Sequence, residues 1–210
     1  MRVALMFAAL TLLCGCNVVV TRTPLFSAAD EAGAPALRPG VWRAAVDPAC
    51  AVDEAQPLVD WPKCTGGAVL GPGEAAYHDR GSAKDILIHE PFLFAAGEPR
   101  IAQARIVLSG DITLEGDVTP YIYAGARATK RDDRGRIVAV TLWPVQCGPP
   151  RTGAANGDTT TLHPLPGIHM KPGDLVCTAD SVATLRAAAR ASEAWAEKPL
   201  TAHWVRDGAA

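Results

Sequence analysis

The feature that limits the fold most is a pair of long strand-like runs, residues 118–129 and 136–145, divided by the charged loop Lys130-Arg131-Asp132-Asp133-Arg134-Gly135. Gly135 accepts a positive φ, so this loop predicts a β-hairpin. In the first run Tyr121 and Tyr123 share one face while Ile122 and Ala124 share the other, because strand side chains alternate. In the return run Ile137, Ala139, Thr141 and Trp143 alternate with Val138, Val140 and Leu142. Both faces of this return run are largely apolar, which places that strand centrally in its sheet.

The surrounding chain carries shorter strand signals. Val41-Trp42-Arg43-Ala44 follows Pro39-Gly40, a second candidate covers residues 74–78, and residues 85–89 form a third that Pro91 should bound. Further strands are predicted at 105–108 and 112–114, with residues 160–165, 167–170 and 174–177 each short enough to be an edge strand or an extended loop. One helix is expected. Asp180 or Ser181 caps it, Val182, Leu185, Ala188, Ala189, Ser192 and Trp195 recur at helical spacing, and Arg186, Arg190, Glu193 and Glu197 fall opposite. Pro199 ends it, and residues 201–206 supply a closing strand. The expected class is α+β and mostly β: an antiparallel sheet or barrel with one C-terminal helix.

The N-terminus has a different character. Arg2 precedes an unbroken apolar run from Val3 to Leu13, long enough for a secretory signal and too short to span a bilayer, which takes about 20 residues. The run ends in Leu13-Cys14-Gly15-Cys16, which resembles the lipobox of bacterial lipoproteins, with Cys14 where alanine or serine is usual. That resemblance implies cleavage before Cys16, a diacylglycerol on its sulfur and an acylated amino group, hence a stable membrane anchor. In such lipoproteins an aspartate after the cysteine commonly retains the chain at the inner membrane. Asn17 stands there instead, which favours the outer membrane. The expected division is a signal peptide at 1–15, a lipidated tether at 16–39 and one domain at 40–208. Leu25, Phe26 and a short helical turn capped by Ser27 offer a second reading of the tether, as an arm docked on the domain.

With Cys14 removed and Cys16 acylated, Cys50, Cys64, Cys147 and Cys177 are left, and four cysteines in an exported chain pair. Three connectivities are open; Cys50 with Cys64 and Cys147 with Cys177 is favoured because each closes a local loop. A zinc site from all four thiolates is the rival, but no C-x-x-C pair is present. Twenty basic against 22 acidic residues leave no basic patch that argues for nucleic acid.

Gly40-Val41-Trp42 opening a run of antiparallel strands, with a helix and a strand closing it, resembles a calycin or lipocalin barrel. The resemblance implies a tryptophan packed across the closed end of the barrel and a cavity for an apolar ligand. His78, Asp79, Asp85, His89, His163 and His169 are residue types from which a metal hydrolase is assembled, but none has H-E-x-x-H or comparable ligand spacing. G-x-S-x-G and S-x-x-K are absent too. The expectation is therefore a non-catalytic envelope domain without cofactor, held to the membrane by Cys16 and meeting an envelope protein partner. A calycin-like carrier is the first alternative and a metal-dependent hydrolase the second.

Overall fold

The computed structural model describes residues 17–44, 50–62, 64–78, 87–105, 120–150, 163–171, 174, 176–196 and 199–208. Cys16, Asp79, Asp85, residues 106–108 of the strand expected at 105–108 and the whole strand expected at 112–114 lie outside these residues, as does the side chain of His78.

Eight strands close an antiparallel barrel: β2 (Gly40–Ala44), β3 (Gly66–Gly71), β4 (Glu74–His78), β5 (Leu87–Ala95), β6 (Arg100–Arg105), β7 (Tyr121–Arg131), β8 (Ile137–Pro144) and β11 (Leu200–Arg206). Strands β2 to β8 pair in chain order, and β11 enters between β8 and β2 to complete the ring. Closure leaves none of these eight with the long bare edge that invites aggregation. The predicted hairpin is β7–β8, with Ala128 opposite Val140 and two irregularities in register beyond it.

Asp132 shapes its turn. One carboxylate oxygen accepts from the backbone N–H groups of Arg134 (3.1 Å) and Arg136 (2.9 Å), and the other accepts from Arg136 Nε (2.8 Å). Burial pushes this carboxyl up, but the Arg136 and backbone bonds together outweigh it and hold the group below its usual value. A carboxyl with a depressed folded pKa adds stability that is complete above about pH 4 and is lost as pH falls through the folded value. Below pH 4 the urea midpoint is therefore expected to fall more steeply in the native chain than in Asp132→Asn.

Inside the barrel, large residues meet small ones. Trp42, Phe94, Ile137 and Val140 pack on Ala44, Ala102, Ala124, Ala126 and Ala202, and Ile122 and Ala104 extend the lining. Two covers lie outside. The helix α1 (Val182–Trp195) packs Leu185, Ala188 and Ala189 with Val19, Phe26, Ile101 and Tyr123. Ser181 caps it, its side chain accepting from Thr184 N–H at 3.1 Å. Buried Trp143 donates to Ala189 O at 2.8 Å and so ties the sheet to the helix. On the other side, Leu58 and Trp61 from the loop closed by Cys50–Cys64 pack against Val41 of β2. The second bridge joins Cys147 to Cys177, so both pairings are those favoured from spacing.

Three departures from expectation have physical reasons. Residues 17–39 are built into the domain, and the tether is the reading that fails: β1 (Val18–Thr21) pairs with β7 and with β10 (Val176–Ala179), which in turn pairs with β9 (Ile168–His169). The arm is then fixed by Gln103, whose Oε1 accepts from Leu25 and Phe26 N–H while its Nε2 donates to Phe26 O. Next, β5 runs through Pro91 to Ala95. The β5–β6 ladder begins only at Phe92 opposite Ala104, so the missing proline N–H breaks no rung there. Finally, β3 forms where no strand was predicted, and β6 lies almost wholly before the strand predicted from Arg105, both from glycine- and alanine-rich sequence.

Candidate functional site

The structure brings a set of residues together at the end of the barrel that carries the β3–β4, β5–β6 and β7–β8 turns. There β4 is too short for its neighbour. Glu74 opposite Pro91 is the last β4–β5 pair, and β5 continues to Ala95 without it. Buried or half-buried backbone N–H groups need acceptors, and the β3–β4 turn supplies the first of them and the N-terminal arm the others. Phe92 N–H donates to Gly73 O (3.0 Å), Phe94 N–H to Glu31 Oε1 (2.7 Å), and Ala96 N–H to Asp30 O (2.7 Å). The arm itself is held in shape by Asp30, whose carboxylate accepts from Ser27 N–H (2.7 Å) and Ser27 Oγ (3.0 Å). The Ser27 backbone and hydroxyl bonds hold the Asp30 carboxyl below its usual value.

Between arm, β3–β4 turn and β5 remains a window of about 210 Å³, walled chiefly by Leu37, Leu70, Phe92 and Phe94 with Pro35 and Pro39 at its border. Leu37, Leu70, Phe92 and Phe94 also pack against the interior cluster, so the window is floored by the barrel core. Arg100 lies over Phe94, 5.1 Å from the ring centroid; burial, with Arg131 nearby, lowers its guanidinium pKa.

The same end is closed by residues 36–40. Arg38 N–H donates to Ile137 O (2.9 Å) and Ile137 N–H to Ala36 O (2.8 Å), while Leu37 bridges to Ile137 in parallel. Two tryptophans opposite one another on β2 and β11 hold this segment from within: Trp42 Nε1 donates to Arg38 O (2.8 Å) and Trp204 Nε1 to Pro39 O (3.0 Å). Arg38 stacks over Trp204, its guanidinium carbon 3.5 Å from the ring centroid, and pairs with Asp207 at 3.0 Å. Trp42 and Trp204 thus hold residues 38 and 39 across this end of the barrel.

The histidines do not converge among the described residues. His89 Nδ1 lies 2.9 Å from Glu74, His169 Nε2 lies 2.6 Å from Asp180, and His203 Nε2 lies 3.8 Å from Glu54, on separate parts of the molecule. Described His163 is exposed. Among the described residues no group of three or more His, Cys, Asp or Glu side chains is arranged to hold a metal ion.

No family model matches this chain, and neither does any curated protein or solved structure.

Proposed function

We propose that this chain is a non-catalytic, lipid-anchored binding domain of the bacterial cell envelope, held at the outer membrane through Cys16, and that its window receives an apolar side chain of an envelope protein partner. The observation that carries this reading is the window itself: apolar walls in a barrel whose interior is otherwise occupied by Trp42, Phe94, Ile137 and Val140. Its volume of about 210 Å³ lies under the roughly 300 Å³ at which pockets for whole small molecules begin. A single leucine or phenylalanine side chain is the better fit. Burying one contributes about 1.5–3 kcal/mol, which corresponds to about 10- to 100-fold in affinity.

The calycin-like carrier is the second reading, favoured by the closed eight-stranded barrel and by Gly40-Val41-Trp42 at its sealed end. One experiment separates the two. A photo-crosslinking residue at Ala36, which is exposed and borders the window, is expected to capture one envelope protein in cells. Leu70→Trp, which fills the window from its wall, should reduce that capture by about 10-fold or more while the far-ultraviolet spectrum stays native. Capture that is indifferent to Leu70→Trp overturns the proposal. Capture of no protein, together with a lipid-like molecule that copurifies and is lost in Leu70→Trp, establishes the carrier in its place.

A further inference from the structure

Residue 17, next to the acceptor cysteine, is already inside the fold. Asn17 is 5% exposed; its Nδ2 donates to Gly148 O at 3.1 Å, and its own carbonyl accepts from Cys147 N–H at 3.1 Å. Val18 pairs with Val176 and bridges to Gln146, and Val19 N–H donates to Val145 O at 2.9 Å. The Cys147–Cys177 bridge locks together the two segments that grip these residues. A flexible chain spanning residues 17–39 would let a domain wander about 25–30 Å from its anchor. Here consecutive Cα atoms leave about 3.8 Å between residue 16 and the wall of the domain.

We infer that the domain rests directly on the lipid bilayer by the side around Asn17, Gly148 and Val176, with the Cys50–Cys64 loop turned away from the membrane. The inference rests on the lipid-anchor reading of Cys16. A diacylglycerol places its sulfur near the boundary of hydrocarbon and headgroups, and the headgroup layer is only about 5–8 Å deep per leaflet. A wall one residue from that sulfur has no room to clear the layer, so it touches headgroups. The opposite side follows from the ring. β1 attaches to β7, and β3 lies four places from β7 in either direction round the eight strands. The segment Leu58–Asp60 of the disulfide loop sits on β3 and β4. The window lies between β4 and β5, three and two places from β7, which keeps it clear of the bilayer and open to a partner.

The test uses the full chain, acylated in a bacterial host and reconstituted into phosphatidylethanolamine–phosphatidylglycerol vesicles carrying lipids spin-labelled high on the acyl chain. A fluorescent amino acid is placed at Pro149, which is exposed one residue beyond Gly148, or at exposed Asp60 on the disulfide loop. Quenching at Pro149 is expected to be several-fold stronger than at Asp60. A Gly/Ser insertion as long as residues 17–39, placed between Cys16 and Asn17, should bring the two probes to equal and weak quenching. Equal quenching in the uninserted chain, with the acyl groups found on Cys16 by mass spectrometry, overturns the seat and leaves the anchor standing. A mature N-terminal peptide without acyl groups overturns the anchor and the seat with it.

Discussion

Replacing Gly40 by alanine is expected to cost about 3–5 kcal/mol in urea unfolding followed by tryptophan fluorescence, a large part of a typical domain's 5–15 kcal/mol. Two effects add. Gly40 has φ +125°, a conformation that costs a residue bearing a Cβ about 1–3 kcal/mol. A Cβ at this position would also lie 2.4 Å from Arg206 O and 2.9 Å from Trp204 Nε1. Arg206 O is backbone of the closing strand, in a stretch whose register already shifts between Trp204 and Arg206. Trp204 is committed to Pro39 O and to the Arg38 stack, so neither neighbour yields cheaply. Gly71→Ala is the control: its Cβ would meet nothing within 4 Å and its φ is not left-handed, so the change should stay within about 0.5 kcal/mol. A Gly40→Ala cost below about 1 kcal/mol would mean that β2 and β11 slide freely past one another, and the account of this closed end would fail.

That position also marks what could be read in advance. Gly40-Val41-Trp42 was visible as a motif through its resemblance to the G-x-W that opens a calycin barrel, and the roles of its glycine and tryptophan in the structure are local: one avoids a backbone clash, the other holds the segment at Arg38. The β7–β8 hairpin was legible because β-branched and aromatic residues alternate through it. Helix α1 was legible because its buried face, Leu185, Ala188, Ala189 and Ser192, follows the helical period. Both signals sit within one element. β3 and β6 were illegible for the opposite reason. A barrel this narrow holds Trp42 and Phe94 only if facing walls are small, so Ala102 and Ala104 stand where a strand would ordinarily advertise itself with valine or isoleucine. Gly67 faces outward into the disulfide loop, where a Cβ would lie 2.4 Å from Leu58 and 2.8 Å from Trp61. These residues are dictated by partners distant in sequence, and from the sequence they look like loop.

The window was invisible for a related reason. It exists because β4 stops at Glu74 while β5 runs on, and because Glu31, from the arm, takes over Phe94 N–H. No spacing within residues 71–73 or 92–95 encodes that mismatch. The histidines show the converse. Several titratable residues in one stretch of sequence suggested chemistry, yet His89 and His169 each meet a different single carboxylate on the exposed surface. Proximity in sequence along a strand puts neighbours on opposite faces, so it gathers no ligand set by itself.

The two disulfides should differ in what they hold. Cys50–Cys64 closes 14 residues and Cys147–Cys177 closes 30, so loop-closure entropy alone gives about 3 and about 3.6 kcal/mol respectively. That gap is small. Burial widens it: Cys147 and Cys177 are 0% and 2% exposed within the cluster formed by Val19, Leu185, Ala188 and Ala189, whereas Cys64 is exposed. Replacing Cys147 and Cys177 by alanine thus removes both the crosslink and tightly packed sulfur, for an expected total of about 4–5 kcal/mol. The equivalent Cys50→Ala/Cys64→Ala chain should lose about 2–3 kcal/mol, because Cys64 is exposed and its removal adds little packing loss to that of the crosslink. The consequences also differ in place. Residues 17–19 are held by the segments that Cys147–Cys177 joins, so hydrogen exchange in β1 and β10 should accelerate far more in the Cys147/Cys177 variant, while β2 and β3 stay protected. Equal losses in the two variants, or exchange that rises first in β2 and β3, would show that the buried bridge does not govern the seating of the N-terminal strand.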